Sequence, residues 1–117
     1  MLATLGYVAL GGALGSVLRV LVGMAVVFPV GALTVNAVGS LLIGVCWALG
    51  VDKVPGLFPF LMLGVLGGFT TFSTFSLDAL KLVQTGQWSA AAAYVFASVA
   101  LSLAAVVLGF ILTGRLA

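Results

Sequence analysis

Four long apolar stretches fill most of the chain, and each ends at a short segment that contains Pro, Gly or a charged residue. A helix needs about 20 apolar residues to cross the hydrocarbon core of a bilayer. The stretches therefore predict an all-α membrane protein with spans at about 3–25, 32–50, 57–80 and 90–112. We expect residues 1–117 to form a single four-helix transmembrane domain.

The composition supports a membrane location, because 64% of the residues are hydrophobic, 5% are charged and the mean hydropathy is +1.44. A soluble domain carries about 25% charged residues, so this chain cannot build a water-facing surface. The first stretch could instead be a signal peptide. No basic residue precedes it and Arg19 follows most of it, so we predict a mature first helix.

The residue inventory excludes most catalytic chemistry. The sequence has no histidine, and its single cysteine, Cys46, lies inside an apolar stretch. Clusters of His and Cys metal ligands, an intrachain disulfide and a Cys–His nucleophile pair are thereby excluded. The basic residues are scattered singly and form no patch, so we expect neither an ordinary enzyme nor a nucleic-acid partner.

Basic residues are balanced across the predicted membrane. Lys53 and Arg115 belong to the side that carries the termini, whereas Arg19 and Lys81 belong to the other side. Since the distribution of Lys and Arg normally sets orientation, we expect insertion in both directions and an antiparallel, dual-topology homodimer. The alternative is that so few charges leave a single orientation by chance.

Small residues recur at four-residue spacing on two predicted spans. Gly11 and Gly15 form a GxxxG pair, Gly12 and Ser16 form a second row, and Ser40 with Gly44 repeat the spacing. Such rows let helices approach closely. They predict packing surfaces and say nothing about a substrate.

The third span has an unusual middle. Gly67 and Gly68 are followed by five hydroxyl residues within positions 70–76, which favours a break in the helix. A break leaves free N–H and C=O groups that suit ions, and it is tolerated only inside protein or beside a watery cavity. The alternative is a continuous helix whose hydroxyls bond carbonyls one turn earlier.

Aromatic and polar side chains recur on the other faces. Phe72 and Phe75 share one helical face after the predicted break, and the electropositive edges of such rings can face an anion. In the fourth predicted span, Tyr94, Ser98 and Ser102 recur every four residues. In the second predicted span, Asn36 lies one turn before Ser40. The alternatives are an ordinary core stripe and hydrogen bonds between helices.

The acidic residues lie away from the centres of the predicted spans. Asp52 is in a loop and Asp78 is near the end of the third span. A path for cations or protons would normally need an intramembrane carboxylate, so neutral donors, ring edges and the nearby Arg19 favour an anion. Alternatively, Arg19 is a snorkelling anchor at the interface.

These segments resemble the Fluc fluoride channels, also called CrcB proteins. The resemblance covers the whole chain and is carried by Gly11-Gly12-Ala13-Leu14-Gly15-Ser16…Arg19, by Gly31-Ala32-Leu33-Thr34-Val35-Asn36…Gly39-Ser40, and most specifically by Gly67-Gly68-Phe69-Thr70-Thr71-Phe72-Ser73-Thr74-Phe75-Ser76. It implies an antiparallel homodimer in the cell inner membrane, with two fluoride pores and a structural sodium ion at its centre. The implied activity is passive export of cytoplasmic fluoride.

The resemblance also assigns roles to individual residues. Backbone carbonyls of Gly67 and Thr70 are implied to hold sodium, and Arg19 is implied to lie in the vestibule. The implied pore residues are Asn36, Phe72, Phe75, Ser73, Thr74, Tyr94, Ser98 and Ser102. Where many relatives are expected to carry glutamate, this chain has the shorter Asp78.

Two other functions fit the size of the chain. A small dual-topology multidrug exporter would need a membrane-embedded glutamate in the first span, which this sequence lacks. A membrane scaffold would use the glycines for packing alone and would tolerate Ala at Asn36 and Ser98.

Overall fold

The computed structural model describes residues 1–116, and every regular element in that range is helical. The elements are α1 (Leu2–Ala25), α2 (Val30–Ala48), a short 3-10 helix (Val51–Lys53), a π-helix (Phe58–Leu66), α3 (Gly67–Phe69), α4 (Phe72–Gln84) and α5 (Trp88–Leu116).

Four helical segments are long and apolar enough to cross a membrane, which confirms the predicted number of spans. They are Leu2–Ala25, Val30–Ala48, Phe58–Gln84 and Trp88–Gly114. The third of these, hereafter the third span, comprises the π-helix, α3 and α4 and continues four residues beyond the predicted end at about 80. The chain is therefore a multi-pass membrane protein built from helices.

Glycines of α1 set its approach to the third span. A Cβ added to Gly11 would collide with the carbonyl oxygen of Phe60, and one added to Gly15 would collide with that of Val65. The second predicted row packs in the same way, since a Cβ on Gly68 would lie 2.7 Å from the carbonyl oxygen of Gly12. Backbone contact of this kind needs small residues.

Glycines likewise set the packing of α2 on α5. A Cβ on Gly44 would collide with the carbonyl oxygen of Val106, and one on Gly109 would collide with that of Leu41. The second and fourth spans are thereby held side by side. Their neighbouring faces carry Asn36 and Ser98 into one groove.

Regular helix is interrupted within the third span. α3 ends at Phe69, and the next two residues have extended backbone, with φ −83° and ψ 157° at Thr70 and φ −154° and ψ 126° at Thr71. The hydroxyl of Thr71 then caps α4 by accepting from the N–H of Thr74 at 3.2 Å. We call Thr70 and Thr71 the extended segment.

Candidate functional site

A groove of about 460 Å³ runs between α2, the extended segment and α5, and we call it the polar groove. It brings together seven of the predicted site residues: Asn36, Gly67, Thr70, Phe72, Phe75, Ser98 and Ser102. Its remaining walls are largely aliphatic. A few polar groups in an apolar cleft are typical of a selective binding site.

Asn36 bridges α2 to the extended segment through both atoms of its carboxamide. The N–H of Thr71 donates to Oδ1 at 2.8 Å, and Nδ2 donates to the carbonyl oxygen of Thr71 at 3.1 Å. The two residues are 35 positions apart in the chain. Asn36 thus pairs with backbone groups that the interruption of the helix leaves without a helical partner.

The two aromatic residues differ in their surroundings. Phe75 is 8% exposed, whereas Phe72 is 77% exposed and lies at the open edge of the groove. Their rings meet edge to face, with centroids 5.4 Å apart and planes inclined at 66°. The exposed ring of Phe72 is therefore available to a ligand or a second protein surface.

Ser98 supplies a buried polar atom. Its side chain is 4% exposed, and Oγ has no hydrogen-bond partner among the described residues. Leaving a buried hydroxyl without a partner costs about 1–3 kcal/mol. Ser102, one turn along α5, continues the same wall of the groove.

A second groove, of about 280 Å³, contains Arg19, Thr74 and Asp78, and shares Thr71 with the polar groove. We call it the Arg19 groove. Nε of Arg19 donates to the carbonyl oxygen of Gly68 at 3.2 Å, next to the extended segment. The guanidinium is therefore held against the third span.

Asp78 lies deeper in the fold than its sequence position suggested. Asp78 lies in the last two turns of the third span, as expected, but its side chain is buried, at 6% exposed. Oδ2 accepts from the hydroxyl of Tyr94 at 3.4 Å. The buried contact holds this carboxylate between α4 and α5.

Two of the predicted residues lie outside both grooves. Tyr94 packs its ring against Phe75, with centroids 5.3 Å apart. Ser73 is exposed, and its Oγ lies 3.3 Å from Oγ1 of Thr71. Neither side chain lines either groove.

Sequence reasoning missed the central position of Thr71, which touches both grooves and caps α4. A Thr immediately before a helical stretch is a capping signal that could have identified it. It also missed Gly39, where an added Cβ would collide with the Thr70 side chain. Hydropathy does not indicate which residue will pack against a glycine in the folded protein.

The carbonyl groups around the extended segment differ in whether they accept hydrogen bonds. Leu66 O accepts from both the N–H and the hydroxyl of Thr70, and Gly68 O accepts from Arg19. Within residues 1–116, the hydrogen bonds outside regular helix include none to the carbonyl oxygens of Gly67 or Thr70. Gly67 and Thr70, three positions apart in the chain, both line the polar groove.

Four helical spans around a polar groove define a small multi-pass membrane protein with a candidate site for a small solute or ion. The sequence matches the family described as CrcB-like protein, Camphor Resistance (CrcB), over residues 6–110. The chain belongs to this family.

Several relatives are similar along nearly their whole length. A protein of Saccharophagus degradans is 48% identical over 117 residues, covering 93% of this chain and 88% of the relative. Proteins of Cereibacter sphaeroides and of a Ruegeria species are 50% and 49% identical, each covering 93% of both chains. All three bear the name "Fluoride-specific ion channel FluC".

Proposed function

We propose that this protein is a fluoride-selective passive ion channel and not an enzyme. The names of relatives about half identical to it support this activity. The observation that carries the proposal is the buried Ser98 hydroxyl, which has no partner among the described residues and lies in a groove with Asn36 and Phe75. A desolvated neutral donor of this kind can replace part of an anion's hydration shell.

Neutral groups are suited to conduction of fluoride. The ion is small and strongly hydrated, so its path must offer closely spaced donors, but a fixed charge would hold it too tightly. Hydroxyls of Ser98 and Ser102 and the ring edges of Phe72 and Phe75 supply such groups on one wall. Asn36 contributes the remaining Nδ2 hydrogen.

The outer residues have supporting roles in this proposal. Arg19 attracts anions into the vestibule, and the hydroxyl of Thr74 lies in the same groove. Ser73 and Tyr94 join the pathway only when a second subunit or a side-chain rotation extends it. Asp78 holds Tyr94 through its hydrogen bond.

We also propose that the channel is an antiparallel, dual-topology homodimer with two pores. The polar groove is open along one side, and Phe72 at its edge is 77% exposed, as expected for a surface that a second copy covers. The balance of basic residues supports two orientations. One of the four basic residues in this balance is Arg115, whose side chain lies outside the described part of the structure.

A sodium ion is proposed at the centre of this dimer. The carbonyl oxygens of Gly67 and Thr70 fit such an ion, because hard cations take oxygen ligands and a helix end offers partial negative charge. The extended dihedrals at Thr70 and Thr71 support a break that exposes these oxygens. When bound, the ion would supply positive charge that holds the two breaks together.

The test is fluoride efflux from proteoliposomes reconstituted with the purified protein. We expect an electrogenic fluoride current and at least about a hundredfold smaller chloride current, a difference of about 2.7 kcal/mol in barrier. Equal chloride permeation, or no fluoride current, contradicts the proposal. In cells, we place the channel in the inner (plasma) membrane, where the membrane potential drives fluoride outward.

Orientation is tested separately with reporters fused to the C-terminus. A dual-topology protein gives signal from reporters active only in the cytoplasm and from reporters active only outside it. Signal from one class alone would exclude the antiparallel dimer while leaving fluoride conduction open to measurement.

A further inference from the structure

The extended segment redirects two backbone N–H groups away from their helical acceptors. In a continuous helix, the N–H of Thr71 donates to the carbonyl of Gly67, and the N–H of Thr74 donates to that of Thr70. Here Thr71 N donates to Oδ1 of Asn36 at 2.8 Å, and Thr74 N donates to Oγ1 of Thr71 at 3.2 Å. Both original acceptors are the proposed sodium ligands.

We infer that Asn36 and the Thr71 hydroxyl are positioning residues for the cation site, because they take the two N–H groups that would otherwise occupy the carbonyls of Gly67 and Thr70. The inference rests on the sodium site of the proposed function. It gives Asn36 a second role, distinct from facing an anion in the groove. Neither side chain itself touches the cation.

Neighbouring contacts make this assignment specific. Gly68 O accepts from Arg19, and Leu66 O accepts twice from Thr70, so these two carbonyls are already paired. The second bond of Asn36, from Nδ2 to Thr71 O at 3.1 Å, fixes the carboxamide plane against the segment. Oδ1 is therefore aimed at the Thr71 N–H and at no other donor among the described hydrogen bonds.

Two substitutions separate this role from packing. Asn36→Leu keeps the branching of the side chain at Cγ but removes Oδ1, so the Thr71 N–H can return to Gly67 O. Thr71→Val keeps the branched shape but removes Oγ1, so the Thr74 N–H can return to Thr70 O. Thr71→Ser retains a hydroxyl at the capping position and serves as the conservative rescue.

The readout is the thermal unfolding midpoint of the purified protein as NaCl replaces N-methyl-D-glucamine chloride at constant ionic strength. A cation bound only to the folded protein raises the midpoint as its concentration increases. We expect a sodium-dependent rise in the wild type and in Thr71→Ser. In Asn36→Leu and Thr71→Val, the sodium concentration that gives half of the rise should increase by about tenfold or more, because a backbone N–H then occupies one of the carbonyl oxygens that would bind the cation.

Phe72→Ile provides the control for pore function. Its ring lies at the edge of the groove, and no hydrogen bond to the extended segment depends on it, so we expect reduced fluoride flux with an unchanged sodium response. A wild type without fluoride current but with the sodium response would reject the channel and retain the inference.

Three outcomes with folded protein overturn the inference. They are a wild type with no sodium response, a full response in both Asn36→Leu and Thr71→Val, and an equal loss of stability with and without sodium that leaves the sodium-dependent rise intact. Failure of both variants to fold in either salt also contradicts it, because the two residues would then support the fold as a whole.

Discussion

The hydroxyl of Tyr94 lies 3.4 Å from Oδ2 of Asp78 and joins α5 to α4 through two buried side chains. The same tyrosine packs its ring on Phe75, so one residue contacts both the carboxylate and the aromatic wall of the polar groove. This contact explains why Tyr94 does not line the groove with Ser98, although the two are four residues apart on α5.

Tyr94→Phe should lower the free energy of unfolding by about 1–3 kcal/mol, because the substitution leaves the buried Asp78 carboxylate without its hydrogen bond. Tyr7→Phe is the matched control, since Tyr7 is 43% exposed. Thermal or denaturant unfolding in detergent measures both. Equal stability of Tyr94→Phe and wild type would show that the 3.4 Å contact contributes nothing.

Phe72→Ile should reduce fluoride flux by about tenfold or more, equivalent to about 1.4 kcal/mol of barrier, with the oligomeric state unchanged. The expected cause is loss of the electropositive ring edge at the side of the groove. Phe96→Ile is a close control, because Phe96 is also 77% exposed but lies outside the groove. Flux is measured in proteoliposomes, and wild-type flux in Phe72→Ile would remove this residue from the pathway.

Ser98→Ala should reduce fluoride flux while leaving stability unchanged or raising it by up to about 1–3 kcal/mol, because it removes a buried hydroxyl that has no partner among the described residues. Opposite changes in stability and transport are the signature of a group kept for its ligand. Ser76→Ala, which removes an exposed hydroxyl bonded to Phe72 O, is the control. A large loss of stability in Ser98→Ala would assign the hydroxyl to packing.

Gly15→Ala should destabilise the protein by about 1–3 kcal/mol, the usual cost of overpacking, because the added Cβ would collide with the carbonyl oxygen of Val65. Gly6→Ala on the same helix meets nothing within 4 Å and should be neutral or stabilising by up to about 1 kcal/mol. Unfolding midpoints of the two variants compare these outcomes directly. Equal effects would mean that α1 does not pack closely on the third span.

Hydropathy was sufficient to predict four spans, because crossing a bilayer depends on the length and apolarity of a segment and on little else. It was less informative about the ends of the spans. The third span was expected to end at about 80, yet α4 continues to Gln84, because Lys81 and Gln84 are compatible with helix. Burial of Asp78 follows from the contact with Tyr94 on another helix.

The sequence predicted many of the residues of the candidate site but not their arrangement in space. Spacing along α5 places Tyr94, Ser98 and Ser102 on one face, but only the two serines line the polar groove, because Tyr94 lies against Phe75 and Asp78 of α4. The importance of Thr71 was not apparent, because its partner Asn36 is 35 positions away.

The sequence by itself determined that this protein is a bundle of membrane helices, since apolar length and the scarcity of charge are properties of the chain alone. It also placed Gly67 and Gly68 before a run of hydroxyl residues. Only the tertiary structure decided which acceptors the N–H groups of the extended segment choose. That choice depends on how closely the glycine faces let the helices approach, and proximity between distant residues is set by packing in three dimensions.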